Sequence, residues 1–420
     1  MYFYSICGGD KIGGSSYFIN INNRKFLLDM GLDINTPGIY PKYENLYKEK
    51  LLCTMGELDG VVISHAHLDH IGSLPYILGE GGNVPLYASQ ETKVLGEKIM
   101  LSAPKESDDY IEIFKKSEIT KSCCKIKIVD EVRKENYKIK LHDSNHILGS
   151  KMVEIVVDEK KILYTGDFSL KTMLTAKKIK FNELLGVDIL LCEGTNFGKR
   201  CDYIGERINF IRHANKILSK GVLLIPAFAM GKTQEILFLI KNAMKNGILK
   251  KVPIYLDGLS SEMTVIYEDL GVKMDAEGVE IKKAPYGFYK KMDMTPKIII
   301  ASSGMLLKNS ASWNYAQRVL ENENSNITFV GYQAKRTEGF NILYSGNSGY
   351  KGSVSKFDFS GHGDESEIIR LIDIIRPKKV VFLHRTTKIK EEDELKKRLK
   401  DMFGKDIFFY FSKDGEGINL

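Results

Sequence analysis

The chain has 420 residues, of which 43% are hydrophobic and 27% charged, a composition ordinary for a globular protein with room for two or three domains. The formal net charge is +7 and includes several Lys-Lys pairs, which suits a polyanionic partner but is also typical of solvated surface. The six cysteines follow neither a C-x-x-C nor a disulfide-framework spacing. Because no signal pattern opens the chain and no run approaches the roughly eighteen apolar residues of a membrane span, we expect a cytoplasmic protein with no membrane partner.

The first half of the chain predicts short apolar strands that each end in a polar residue, with a glycine close behind. The predicted strands cover residues 2–7, 16–21, 25–28, 61–63, 161–164 and 187–191, and a helix is predicted around residues 91–100. The polar residues at the strand ends are Asp29, His65, Asp167 and Glu193. Strands that alternate with helices indicate an α/β fold, in which strand ends gather at one edge, so we expect these residues to face one cleft.

The densest group of polar residues follows the strand at residues 61–63, with the pattern H-x-H-x-D-H. His65 and His67 lie two residues apart and can reach one cation from an extended backbone, while Asp69 and His70 follow as the chain turns. Adjacent residues do not easily share one ion with the first pair, so the run suits two ions better than one. A single histidine in this position is usually an ordinary polar residue, but four such side chains within six residues favour metal binding.

The middle of the chain predicts a separate α/β unit. Helical periodicity covers residues 201–219 and 233–246, and strands are predicted at 222–225, 252–256, 298–301 and 327–331. Gly231-Lys232-Thr233 does not complete a phosphate-binding P-loop, because Pro226 occupies the position of its first glycine. Ser302, Ser303 and Gly304 follow a strand and either hold a phosphate or form a tight turn.

The last seventy residues are predicted to complete the first domain. Residues 357–359 lead into Ser360-Gly361-His362-Gly363-Asp364, and Asp364 caps a helix that ends before Pro377. A strand at 380–383 then ends at His384, followed by a helix at 391–402 and a strand at 408–411. Six of the eight histidines occupy the ends of strands or the turns beside them, namely His65, His67, His70, His146, His362 and His384.

These motifs in this order resemble the β-CASP branch of the metallo-β-lactamase superfamily. H-x-H-x-D-H, His146, Asp167 and Asp29 resemble the superfamily, whereas Glu193, the inserted unit, Ser-Gly-His-Gly-Asp at 360–364 and His384 resemble its β-CASP nucleases. The chain looks most like bacterial and archaeal relatives of the endonuclease subunit that forms mRNA 3′ ends. The resemblance implies an αββα sandwich over residues 1–198 and 351–420, with an inserted α/β β-CASP domain over residues 199–350.

The resemblance also implies roles for individual residues. It implies two Zn2+ ions, one held by His65, His67 and His146, the other by Asp69, His70 and His384, with Asp167 between them. Asp29 then orients a ligand, Glu193 pairs with His362 near the scissile phosphate, and Asp69 belongs to the catalytic set. Ser302, Ser303, Gly304 and Ser360 are candidates for binding phosphate. A histidine at the position of His384 is typical of family members that act on RNA.

The chain departs from the family pattern at a few positions, none of them a ligand. Arg385-Thr386 follows His384 where the family often has Gly-Glu, and Gly194 stands where serine is usual. Asn196 replaces a tyrosine, and Gly361 and Gly363 stand where alanines are frequent. We expect these differences to affect substrate contacts more than the chemistry. The sequence also resembles a minimal catalytic core, without the terminal extensions of many relatives.

The predicted function is hydrolysis of single-stranded RNA to 5′-phosphate and 3′-hydroxyl ends, with His362 as proton donor to the leaving oxygen. The alternatives are a DNA nuclease of the same family, a small-molecule hydrolase of the same fold and a non-catalytic RNA-binding scaffold. Endonuclease and 5′-to-3′ exonuclease activity both remain open, and the sequence is compatible with a homodimer.

Overall fold

The structure is a computed structural model that describes residues 1–33, 40–79, 83–102, 114–344, 349–386 and 389–420. It divides into two compact units, one formed by Met1–Arg200 together with Gly361–Leu420 and the other by Cys201–Ser360. The chain therefore leaves the first unit, forms the second, and returns to complete the first.

Residues 1–200 contain the strands and helices of the first part of this unit. The strands are β1 Tyr2–Cys7, β2 Ser16–Ile21, β3 Arg24–Leu28, β4 Gly60–Val62, β5 Leu86–Ala88, β6 Ile126–Ile128, β7 Glu131–Arg133, β8 Lys138–Asp143, β9 Lys151–Val157, β10 Lys160–Tyr164 and β11 Ile189–Glu193. The helices are α1 Glu44–Lys48, α2 Leu68–Ile71, α3 Tyr76–Gly79, α4 Gln90–Ser102 and α5 Lys116–Cys124.

The inserted unit comes next, and the chain then returns to the first unit. The inserted elements are α6 Tyr203–Ile217, β12 Val222–Pro226, α7 Lys232–Lys245, β13 Ile254–Asp257, α8 Leu259–Asp269, β14 Ile281–Lys283, α9 Phe288–Lys291, β15 Lys297–Ala301, α10 Ala311–Leu320, β16 Asn326–Phe329, α11 Glu338–Tyr344 and β17 Ser353–Lys356. The returning elements are α12 Glu365–Ile375, β18 Lys379–Leu383, α13 Ile389–Phe403, β19 Phe408–Phe411 and β20 Gly417–Asn419.

The described strands of the first unit form two seven-stranded sheets, ordered β20-β1-β2-β3-β4-β5-β6 and β19-β18-β11-β10-β9-β8-β7. One apolar cluster joins side chains of both sheets, such as Phe3 and Ile19 with Ile155 and Leu191. A second cluster packs the outer face of the first sheet against α1 to α5, and a third packs the outer face of the second sheet against α12 and α13. This arrangement of helices, two sheets and helices confirms the predicted αββα sandwich.

The burial of both sheet faces explains the sequences of the central strands. β11 is buried along its whole length, and β18 is buried except at Lys379, its first residue. Strands covered on both faces have continuous apolar runs rather than alternating ones. The parallel neighbours β10, β11 and β18 end at the same edge, which brings the residues that follow them together.

The inserted unit has its own parallel sheet, ordered β14-β13-β15-β12-β16-β17. Its last strand, Ser353–Lys356, pairs with β16, and this compact unit extends to Ser360, whereas the sequence predicted that the inserted domain ends at residue 350. The sequence patterns did not predict β5, β6, β7, β9, β14, β17 or β20. The described helices include none with the length and apolarity needed to span a membrane.

Candidate metal centre

The edge where β3, β4, β10, β11 and β18 end collects the polar residues at the strand ends. Parallel pairing of β3 with β4, and of β11 with both β10 and β18, points these strands the same way within each sheet. The structure thus brings together the predicted ligands in three overlapping groups. These groups are His65, His67, His146 and Asp167; Asp69, His70 and His384; and Asp167, Glu193, His362 and His384.

The first group has the spacing of a tetrahedral metal site. The Nδ1 atom of His67 lies 3.0 Å from His65 Nε2 and 3.2 Å from His146 Nε2. Asp167 Oδ2 lies 3.5 Å from His65 Nε2 and 3.6 Å from His146 Nε2. Ligands about 2.0 to 2.1 Å from a tetrahedral ion are about 3.3 to 3.4 Å from one another. The four donors therefore surround a space of the right size for one ion.

The hydrogen bonds of these histidines also favour a cation. A neutral ring nitrogen without a proton has one lone pair, so His67 Nδ1 cannot satisfy the nitrogens of both His65 and His146. Burial lowers the pKa of His67 to about 4 and holds the pKa values of His65 and His146 well below the usual histidine range. Neutral imidazoles with converging lone pairs are the form in which histidine binds metal.

Asp167 lies at the centre of the site. Its Oδ2 atom is 3.4 Å from His70 Nε2 and 3.6 Å from His362 Nδ1, in addition to the contacts in the first group. Its buried Oδ1 atom has no hydrogen-bond partner in the part of the chain that the structure describes. Although burial acts to raise its pKa, His70, His384 and His362 hold the pKa of Asp167 well below the usual range. A buried carboxylate with one unsatisfied oxygen can serve two cations at once.

The second group is less regular than the first. His384 Nε2 lies 3.5 Å from Asp69 Oδ2, and His70 Nε2 lies 3.9 Å from the same oxygen. The backbone N–H of Gly13 donates to His384 Nε2 at 3.2 Å, so this nitrogen faces an alternative partner. His384 Nδ1 lies 2.9 Å from Thr195 Oγ1 and 3.5 Å from Asp167 Oδ1. Whether Asp69, His70 and His384 can bind one ion together therefore depends on the position of the His384 ring.

Asp29 lies where it can orient His70. Its Oδ2 atom is 2.7 Å from His70 Nδ1 and accepts from Tyr164 Oη at 2.7 Å, and its Oδ1 atom accepts from the backbone N–H of Ser64 at 2.6 Å. The residue is fully buried and has a φ of +59°, a conformation unusual for a residue with a side chain. A carboxylate on Nδ1 leaves Nε2 of His70 directed at the site.

Buried Glu193 and partly exposed His362 form a pair beside the candidate metal ligands. Glu193 Oε2 lies 3.0 Å from His362 Nδ1, while Oε1 accepts from the backbone N–H of Phe168 at 2.9 Å. Burial acts to lower the pKa of His362, but Glu193 and Asp167 raise it to about 9. These two carboxylates therefore favour the protonated form of the ring.

The loop that carries His362 is fixed by backbone contacts on three successive residues. The carbonyl of Gly361 lies 2.8 Å from His146 Nδ1, the carbonyl of His362 accepts from Lys171 Nζ at 3.3 Å, and the N–H of Gly363 donates to the Phe168 carbonyl at 2.6 Å. A Cβ atom added at Gly361 would lie 3.1 Å from His146 Nδ1. Glycine at position 361 thus permits the close approach to the candidate ligand His146.

The phosphate-binding candidates Ser302, Ser303, Gly304 and Ser360 belong to the inserted unit. Ser302 Oγ accepts from the backbone N–H of Leu259 at 2.9 Å, and Ser303 Oγ accepts from Met305 N–H at 3.2 Å. The backbone N–H of Ser360 donates to Asp358 Oδ1 at 2.9 Å. These contacts give the serines structural roles, and phosphate binding there stays a prediction.

Several residues that hold the centre together were missed in the sequence. Ser64 and Tyr164 support Asp29, Thr195 contacts His384, and Lys171 supports the loop at His362. Ser64 and Tyr164 directly precede the motifs at His65 and Thr165-Gly166-Asp167, so their positions were available as a signal. The contacts of Thr195 and Lys171 span 189 and 191 residues and have no local signal.

Comparison with known proteins agrees with the fold and the site. Family models match the metallo-beta-lactamase superfamily over residues 9–174, the Beta-Casp domain over 233–342 and the Zn-dependent metallo-hydrolase RNA specificity domain over 350–409. Together with the His and Asp cluster, these matches define a metal-dependent hydrolase of the metallo-β-lactamase fold with an inserted Beta-Casp domain. The fold implies binding of divalent metal, which the cluster fits.

Relatives narrow the assignment further. The chain is 30% identical to an RNase J-like protein of Methanocaldococcus jannaschii, over 90% of each chain, and 27% identical to RNase aCSPSF2 of Saccharolobus solfataricus, over 91% of this chain and 79% of that one. It is also 29% identical to transcription termination factor FttA of Lokiarchaeum sp., over 90% of this chain but 65% of that one. The chain therefore belongs to the β-CASP family of the metallo-β-lactamase superfamily, as the resemblance predicted.

A solved structure shows the same fold at low sequence identity. A crystal structure of a protein of unknown function from Enterococcus faecalis V583 matches with a TM-score of 0.62 and 15% identity, covering 100% of this chain and 99% of that chain. This likeness bears on the fold alone.

Proposed function

We propose that this protein is a zinc-dependent ribonuclease that hydrolyses phosphodiester bonds with two metal ions and leaves 5′-phosphate and 3′-hydroxyl ends. The observation that carries the proposal is the pair of donor groups that meet at Asp167, with the Glu193 and His362 pair beside them. The metal site alone fits many hydrolases of this fold. A proton donor next to it, such as His362, fits a reaction whose leaving group needs a proton.

The donor set favours zinc over harder cations. The first ion would be held by His65, His67 and His146, the second by Asp69, His70 and His384, and Asp167 would serve both. Imidazole nitrogens in tetrahedral spacing are typical of zinc, whereas magnesium and calcium prefer oxygen ligands in larger numbers.

When bound, such a pair of ions supplies a water that ionises near neutral pH and offsets charge on the phosphate oxygens. The protein side chains have separate tasks. Asp29 keeps Nε2 of His70 directed at the site, and the Gly361 carbonyl does the same for His146. Glu193 holds Nδ1 of His362, so that ring can transfer a proton to the departing 3′ oxygen. Breaking the bond on that side leaves phosphate on the 5′ end of the downstream product.

RNA is the favoured substrate for three reasons. Relatives of the chain are named as ribonucleases, and the model matched at residues 350–409 is described as an RNA specificity domain. The net charge of +7 suits a polyanion. His384, present among the ligands, is the residue that the family resemblance associates with action on RNA. A small-molecule hydrolase would have no evident use for Glu193, His362 and the inserted unit.

The test is cleavage of one single-stranded RNA, labelled at either end and carrying a 5′-monophosphate, triphosphate or hydroxyl, beside a DNA of equal sequence. We expect zinc-loaded protein to cleave the RNA to products with 5′-phosphate ends and the DNA far more slowly. Product lengths and dependence on the 5′ group distinguish endonuclease from 5′-to-3′ exonuclease activity. Equal cleavage of DNA would assign the DNA nuclease alternative, and no cleavage of either would refute the proposal.

A further inference from the structure

His384 is anchored at the end of β18 in a conformation that needs support. Its φ is +50°, which is uncommon for a residue with a side chain, and its backbone N–H donates to the Gly8 carbonyl at 2.7 Å. Its Nε2 atom lies between the Gly13 N–H at 3.2 Å and Asp69 Oδ2 at 3.5 Å. A small displacement of this residue would therefore exchange a position facing the metal site for one facing the Gly13 amide.

The next residue, Arg385, is fully buried and has contacts that run away from the metal site. Its Nη1 atom lies 2.8 Å from Glu392 Oε1, and its Nη2 atom donates to the Ser412 carbonyl at 3.2 Å. The guanidinium carbon lies 4.7 Å from the centroid of the Phe411 ring. These contacts tie the end of β18 to α13 and to β19 and the residue after it.

The side chain of Arg385 passes over Gly194. A Cβ atom added at Gly194 would lie 3.2 Å from Arg385 Cβ, closer than most side-chain contacts, and 3.6 Å from Arg385 Cδ, an ordinary van der Waals distance. Gly194 also donates its backbone N–H to the Leu383 carbonyl at 2.8 Å, so it cannot move away without breaking the pairing of β11 with β18. Two departures from the family pattern, the missing side chain at 194 and the added one at 385, therefore compensate for each other in space.

We propose that Arg385, which packs over Gly194 and pairs with Glu392, is a positioning residue that sets His384 for the second metal ion. The inference rests on the two-ion site of the proposed function. A buried ion pair that only fastened α13 would also stabilise the fold, but it would not act on one ion more than on the other. The selective effect on the second ion is thus what separates the two roles.

The experiment is a zinc titration of the metal-free full-length protein against a chromophoric chelator, which gives the number and affinity of bound ions. Glu392→Gln and Arg385→Met remove the ion pair with little change of shape, while Arg385→Lys keeps a charge and serves as the conservative variant. We expect the first ion to bind within about twofold of wild type and the second to bind roughly 10- to 100-fold more weakly, with partial rescue by Arg385→Lys. Second-ion affinity within twofold of wild type in folded Glu392→Gln would overturn the inference.

A double-mutant cycle of Gly194→Ser and Arg385→Gly tests the packing of Arg385 over Gly194 without relying on the ion pair with Glu392. Gly194→Ser should weaken the second ion in the wild-type background, because its Cβ presses on Arg385, and should have no effect in Arg385→Gly, where the space is vacant. An equal effect in both backgrounds would refute the packing of Arg385 over Gly194.

The wild-type titration separates this inference from the proposed function. Binding of one ion only would overturn both. Two ions with no selective change in the variants would overturn only the role of Arg385, whereas two ions without RNA cleavage would overturn only the proposed function.

Discussion

Replacing Glu193 by glutamine tests the proton donor with the least disturbance of shape. Glu193 Oε1 accepts from the Phe168 N–H at 2.9 Å, so the glutamine carbonyl must stay on that side. Its NH2 group would then face His362 Nδ1, which lies 3.0 Å from the present Oε2. Two donors cannot share this contact, so the ring would have to carry its proton on Nε2 alone and lose its ionic partner.

The lost interaction sets the size of the effect. A hydrogen bond to a charged group contributes about 1.5 to 3 kcal/mol, and if it supports the transition state its loss slows the reaction roughly 10- to 150-fold. We expect single-turnover RNA cleavage by Glu193→Gln to fall within this range, while the zinc content stays that of wild type. Adding Glu193→Gln to His362→Ala should cost little more than His362→Ala alone, because the two residues act as one unit.

The chain offers a matched control. Glu154 is also a buried carboxylate beside a histidine, with its Oε2 atom 3.2 Å from His142 Nε2, and neither residue belongs to the metal groups. Glu154→Gln should lower stability but leave the cleavage rate unchanged. A Glu193→Gln enzyme that cleaves within threefold of wild type, or additive losses in the double variant, would refute the assigned role of the pair.

Three further predictions concern the metal and the substrate. His67→Ala removes the nitrogen shared by the first donor group and should reduce cleavage below detection while RNA binding stays measurable by gel shift; unchanged cleavage would contradict the ligand assignment. Dialysis against a chelator should abolish cleavage and lower the melting temperature, and added zinc should restore both, since an ion present at about 100 times its Kd stabilises the folded state by about 2.7 kcal/mol. RNA affinity, measured by fluorescence anisotropy, should fall roughly 20-fold between about 50 and 200 mM salt if three phosphates are contacted, and a flat salt response would argue against a polyanionic substrate.

The local spacing of residues made much of the site predictable. His65 and His67 lie two residues apart, so they share one face of an extended segment. Asp167 follows a short apolar strand and is preceded by a glycine. Both patterns involve only a few neighbouring residues, so the sequence alone indicates metal binding. The same local patterns predicted most strands of the sandwich. The end of the inserted unit was harder to predict. Ser353–Lys356 is a short edge strand, and only its pairing with β16 shows that it belongs to the sheet of the inserted unit.

The sequence by itself determined the donor types, their order along the chain and the α/β character of the fold, because each of these depends on neighbouring residues. Tertiary structure decided which donors meet at Asp167, that Gly13 competes for His384, and that Arg385 lies over Gly194. Those relations join segments far apart in the chain, and the sheet register that aligns the ends of β10, β11 and β18 sets them. A change of register by one residue would turn each of these side chains to the other face of its sheet.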